Sequence, residues 1–235
     1  MGSLPHPLEA FFRDPGLLTQ DAPYRLDPYV LTLGLALLWY LAESTGPAAG
    51  AAEGRKPYLV LDDLAAQIHA GCDGVTVIPA FGGSRSESAA ERAILGLKLN
   101  HGSAHVYRAI LESFGYLLRA EDIPPERVIC TGGGAASAMW RQIVSDITGY
   151  PLAYHPQVDP CLGSAFLVAY ALHIVETFDA NHGWLPAAEI TSPSEEFRDR
   201  YEDGYRRFTA AEKLTSRWKA RRVRSASCGT PGAPH

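Results

Sequence analysis

The sequence lacks most of the features that assign a protein at sight. Its four cysteines, Cys72, Cys130, Cys161 and Cys228, stand far apart with no C-x-x-C pair. That excludes a zinc ribbon and a dithiol redox motif, and leaves reduced thiols in a cytosol as the expectation. No apolar run is long enough to cross a bilayer. "YVLTLGLALLWYL" and "CLGSAFLVAYALHIV" fall short of the roughly 20 residues a membrane helix needs, so both predict buried helices. The start, "MGSLPHPLEAFF", has no basic residues leading into an apolar stretch, so no secretory signal is read there. A basic excess is missing as well, and a formal charge of -5 argues against a general nucleic-acid binder. Neither an internal repeat nor the G-x-S-x-G elbow is present, so Ser84, Ser86 and Ser88 make no hydrolase triad. What remains is a chain of 235 residues, 46% hydrophobic and 20% charged, with the composition of a cytoplasmic globular protein able to bury a proper core.

Patterning then places the elements. Residues 1–27 carry no sustained period and read as a loop-like lead-in. "PYVLTLGLALLWYLAEST" is apolar all round and predicts a buried helix. "GPAAGAAEGRKP" is a small-residue linker, and "YLVLDDLAAQIHAG" predicts a helix ended by Gly71. "GVTVIPAF", "AILGLKL", "RVICT" and "PLAYH" predict strands. The clearest helix is "SAHVYRAILESFGYLLRA", with Ser103 as its cap and an apolar face of Val106, Ile110, Leu111, Phe114, Leu117 and Leu118. His105, Arg108, Glu112 and Arg119 form a separate stripe, on which Arg108 and Glu112 are spaced to make an exposed pair. "ASAMWRQIVSDIT" predicts a helix stopped by Gly149 and Pro151, and "PCLGSAFLVAYALHIVE" a buried one. Residues 209–235 are basic and predict a disordered tail. Strands alternating with helices imply an α/β domain with a mixed sheet.

The most informative stretch is "RVICTGGGAASAMWRQIVSDITGYP". A strand runs into Gly132, Gly133 and Gly134, and a helix follows. The first turn of a helix has N–H groups without intrahelical partners and partial positive charge. Bare backbone there lets a phosphate or a flat purine approach. The pattern is neither G-x-G-x-x-G nor the P-loop. By its residues alone it fits either a nucleotide cradle or a tight turn that binds nothing.

The same stretch resembles the FGGY carbohydrate kinases, whose pattern is close to GGGA-x-S-x-x-W-x-Q-x-x-A-D-x-x-G-x-P. "GCDGVTVIPAFGGSRSESAAERAILGLKLNHGSAHVYRAILESFGYLLR", "CLGSAFLVAYA", "GLALLWYLAE" and "YEDGYRRF" are similar to further blocks of that family, in the same order. The likeness covers residues 28–208, and the xylulokinase-like members are the most similar in pattern. It implies a ribonuclease H-like, actin-like ATPase fold with a mixed sheet flanked by helices, corresponding to the second of two lobes. It implies further that Gly132, Gly133 and Gly134 lie against a nucleotide, that Ser137 sits near the adenine, and that Gly34 approaches the phosphates. ATP is then the cofactor, with magnesium arriving on the nucleotide rather than in a protein cage. Trp140 anchors the helix in the core.

Three departures shape the functional expectation. The family's catalytic aspartate belongs to the first lobe, ahead of anything in this sequence, so no catalytic residue is assigned here. The family's G-T phosphate loop has no counterpart in "MGSLPHPLEAFFRDPG". G-E-R-x-P stands as "GSRSE", in which Arg85 remains while Ser84 and Glu87 replace the glutamate and the proline. The expectation is therefore a nucleotide-binding half of a pentulose-type kinase, active on a sugar only with a first lobe. The alternative is an inactive ATP-binding or docking module of the same fold. A lobe built to face another predicts self-association or a hetero-partner. No metal site is assigned. His101 and His105 read as a loop histidine and a surface histidine rather than zinc ligands. Asp62 and Asp63 read as first-turn acids, Asp159 as a helix cap and Asp73 as a turn residue.

Overall fold

The computed structural model describes residues 36–37, 40, 57–79, 93–120, 128–158, 160–177 and 183–227. Gly34, Asp159, the "GSRSE" loop, the lead-in and the linker up to Lys56 lie outside the described residues, and Ala36, Leu37 and Tyr40 of the first expected helix are helical. The helices are α1 (Pro57–Ala65), α2 (Ser103–Ala120), α3 (Gly132–Ala135), α4 (Ala138–Thr148), α5 (Pro160–Ala171) and α6 (Arg198–Ser227). The strands are β1 (Thr76–Ile78), β2 (Ala93–Leu95), β3 (Val128–Cys130), β4 (Leu152–Tyr154) and β5 (Glu189–Thr191). β1 and β2 pair antiparallel, Val77 opposite Ile94. The other sheet is mixed: β3 runs parallel to β4, with Ile129 opposite Ala153, and β5 runs antiparallel to β4, with Ile190 opposite Ala153. Parallel neighbours need a crossover connection, and α4 supplies it.

The centre of the molecule is α2, buried without a break from Val106 to Leu117. α1, α4, α6 and β1 all pack on it. Against α4 the approach is close because Gly115 has no side chain: a Cβ there would lie 2.8 Å from Ile147 Cδ1 and 3.1 Å from its Cβ. Beside that crossing the Phe114 and Trp140 rings pack tilted with centroids 5.2 Å apart, which seats α4 in the core as expected.

The polar stripe of α2 is also enclosed. Arg108 and Glu112 are 7% and 2% exposed, so their pair is buried rather than superficial. Glu112 Oε1 accepts Arg108 Nε and the Gly71 N–H, each at 3.0 Å, while Oε2 accepts the Tyr116 hydroxyl at 3.1 Å. Arg108 also donates to the Ala65 carbonyl at 3.1 Å and to the Tyr201 hydroxyl at 3.2 Å. Each charge thus has the partners that burial demands. Burial pushes the Tyr116 and Tyr201 hydroxyls, and the Cys72 thiol beside them, well above their ordinary ranges.

Several elements differ from expectation. α1 begins at Pro57, so Asp62 and Asp63 fall in its interior rather than its first turn. Asp62 is buried and accepts the Tyr107 hydroxyl at 2.8 Å. Ser103 is the first residue of α2, and His105 Nδ1 meets the Gly102 N–H ahead of it. α5 is only half covered: Phe166 and Ala169 are buried, while Val168 and the following Leu172 and Ile174 are 58%, 64% and 72% exposed. An apolar run without a polar face cannot say which of its sides the chain covers. The expected tail disorder fails for residues 209–227, where α6 continues to Ser227 with Ala211 and Thr215 buried.

Candidate functional site

β3 delivers the chain to the three glycines. Thr131 is still extended, and Gly132 then turns at φ +83°, a left-handed value that side chains tolerate poorly. Gly132–Ala135 wind a single turn of their own. The long helix begins only at Ala138, with Ser137 as its cap. The glycines therefore lie one turn ahead of the helix mouth, not at it. Glycine propagates a helix poorly, and Ser137 restarts one: its Oγ accepts the Trp140 N–H at 3.1 Å. That contact fixes Ser137 half-buried beside the turn and leaves its hydroxyl proton for another acceptor.

Gly132, Gly133 and Gly134 are all exposed. Among the described residues, a Cβ built on any of them meets nothing within 4 Å. At Gly132 the backbone angle accounts for the residue. At Gly133 and Gly134 neither a left-handed angle nor crowding by the chain does.

The turn is held from behind. Arg141 Nη1 donates to the Ala135 carbonyl at 2.6 Å, and Nη2 to Glu189 Oε2 on β5 at 3.1 Å. The guanidinium also lies 4.4 Å over the Tyr154 ring of β4. Gln142 Nε2 bonds Asp146 Oδ1 at 2.7 Å and the Ser192 carbonyl at 3.0 Å, and Asp146 Oδ1 takes the Ser194 N–H at 2.7 Å. Gln142 and Asp146, two motif positions, thus strap the segment after β5 to α4. Cys130, at the end of β3, is buried. Burial pushes its thiol upward against the pull of Arg141, and its Sγ donates to the Ala153 carbonyl at 3.7 Å.

Among the described residues no group of three or more histidines, cysteines or acids could hold a metal ion. The His101 and His105 rings stack at 4.7 Å, with each Nδ1 accepting a backbone N–H, from Lys98 and Gly102 respectively. His105 Nε2 and His69 Nδ1 each lie 3.5 Å from the Asp73 carboxylate, so Asp73 joins two elements as well as turning the chain. Of the residues the sequence nominated, the structure brings together Gly132, Gly133, Gly134 and Ser137. Arg141, Tyr154 and Glu189 were not nominated.

The α/β domain with its mixed sheet has the ribonuclease H-like, actin-like ATPase fold of the sugar kinases on which it superposes. The C-terminal domain of the FGGY family of carbohydrate kinases matches residues 22–172, and this chain belongs to that family. The gluconokinase of Bacillus subtilis (strain 168) is 30% identical over 185 residues, covering 72% of this chain and 36% of that protein. The xylulose kinase of Escherichia coli (strain K12) is 35% identical over 119 residues, 46% of this chain and 25% of that protein. The crystal structure of xylulose kinase from Rhodospirillum rubrum superposes with a TM-score of 0.66 at 27% identity, covering 80% of this chain and 39% of that one. The chain thus spans little more than a third of the length of the gluconokinase it matches. No helix among the described residues is long and apolar enough to cross a membrane.

Proposed function

We propose that this chain supplies the nucleotide-binding half of a carbohydrate kinase, with ATP on the Gly132–Ala135 turn and a pentulose-type sugar as phosphoryl acceptor. The observation that carries the reading is the open backbone of Gly133 and Gly134, glycines that nothing among the described residues requires. The turn also follows the carboxyl end of a strand that is parallel to its neighbour, the edge where open α/β sheets receive ligands. The residues present fit a purine nucleotide. Gly132, Gly133 and Gly134 offer flat main chain, Ser137 offers a hydroxyl proton, and Gly34 is assigned to the phosphate side by resemblance.

Bound ATP supplies the phosphoryl group, and magnesium comes with it. The chain's own residues bind and orient. Phosphoryl transfer depends on positioning and charge stabilisation but still needs a base to orient the sugar hydroxyl. In this reading the base belongs to a first lobe that closes over the substrate and excludes water. The exposed Val168, Leu172 and Ile174 give this lobe apolar surface for a second copy or a partner lobe.

Calorimetric titration of the 235-residue chain with ADP tests the reading. Wild type is expected to bind, and Gly133→Val to bind at least about tenfold more weakly with Tm unchanged, since the site is open. Equal affinity in the two proteins would refute the assignment. A coupled assay with a panel of pentuloses tests the division of labour, and turnover by these 235 residues alone would overturn it.

A further inference from the structure

The residue behind the glycine turn is built as a clamp. Arg141 is only 7% exposed, and its two terminal nitrogens reach acceptors on different elements. One is the Ala135 carbonyl that closes the turn and the other is Glu189 on β5. The Tyr154 ring covers one face of the guanidinium, and Nε is buried with no partner among the described residues. A buried cation that leaves one donor unsatisfied is held where it is by its other contacts. Only a rigid planar fork spans these two acceptors; an ammonium on a flexible stem reaches one of them at a time.

We propose that Arg141 is a positioning residue for nucleotide binding. It touches no nucleotide, and sets the conformation of the Gly132–Ala135 turn by tying its last carbonyl to the sheet through Glu189 and Tyr154. The inference rests on the nucleotide reading above and adds to it the residue that pre-forms the site. The turn has three glycines and one α4 cap, and so little stiffness of its own. Without the clamp it samples more conformations, and the nucleotide must order it on binding. The effect falls on affinity more than on global stability, because the turn is exposed.

The test compares wild type, Arg141→Lys and Glu189→Gln in the full chain by three measurements: ADP titration, Tm, and amide hydrogen exchange of the peptide covering residues 131–137 without nucleotide. Losing the charge-assisted bond to the turn is expected to weaken ADP binding by about tenfold in Arg141→Lys, with faster exchange in that peptide. Glu189→Gln, at an exposed partner, is expected to give a smaller loss in the same direction with Tm preserved, which keeps the test decisive should the lysine variant fold poorly. Unchanged exchange and affinity in both variants overturns the proposal, as does a fall in Tm with ADP affinity intact. Either result leaves the nucleotide reading standing. If wild type itself binds no ADP, the nucleotide reading fails and the role given to Arg141 fails with it.

Discussion

Glu112 lies in the middle of α2 with its carboxylate enclosed by Arg108, the Gly71 N–H and Tyr116. Burial pushes its carboxyl above the usual carboxylate range, against the pull of Arg108. A folded-state value above the unfolded one means that the folded chain holds this proton more tightly. The contribution is whole below the unfolded value of about 4.5 and is lost as pH rises through the folded value. Urea unfolding of wild type and Glu112→Gln at about pH 5 and about pH 8 should therefore show the wild-type advantage shrinking at the higher pH; an advantage that grows would reverse the sign. Arg108→Ala leaves that carboxylate without its cation and should cost about 3–5 kcal/mol in the same experiment. Gly115→Ala should destabilise by about 1–3 kcal/mol through its collision with Ile147, only partly offset by the better helix propensity of alanine. A urea midpoint at or above that of wild type would show that Ile147 moves aside freely.

Among the elements, those with a strong local signal were legible. α2 occupies the predicted residues 103–120, Gly149 ends α4, and β3 and β4 fall inside the predicted strands. What failed had a tertiary cause. β5 is three residues long and exists by pairing with β4, a partner that no local pattern names. The face of α5 that is covered, and the burial of Arg108 and Glu112, depend on neighbours distant in sequence. The glycine turn and Ser137 were legible as a unit, but Arg141 reads as a surface residue until Ala135 and Glu189 are placed around it. α6 was misread past Phe208 because its charge suggested solvation, whereas Ala211 and Thr215 continue the buried stripe of Tyr201, Gly204 and Phe208. Ending the chain after Thr209 should therefore lower Tm, by about 2–4 °C for each kcal/mol lost in a domain of this size, as circular dichroism would detect. A chain so shortened that melts like wild type would return those residues to the role of a tail.

For the whole molecule, the enclosure of α2 fixes an order of assembly. Its covering side chains come from both directions along the chain, and the last of them, Tyr201 and Phe208, are made about 80–90 residues after α2 is complete. At a synthesis rate of about 5–20 residues per second, the nascent polypeptide carries an uncovered side of that helix for roughly 4–20 s. The charged pair inside it waits equally long for Tyr201, which accepts Arg108. Until α6 follows, that side of α2 stays open to contact with other apolar surfaces.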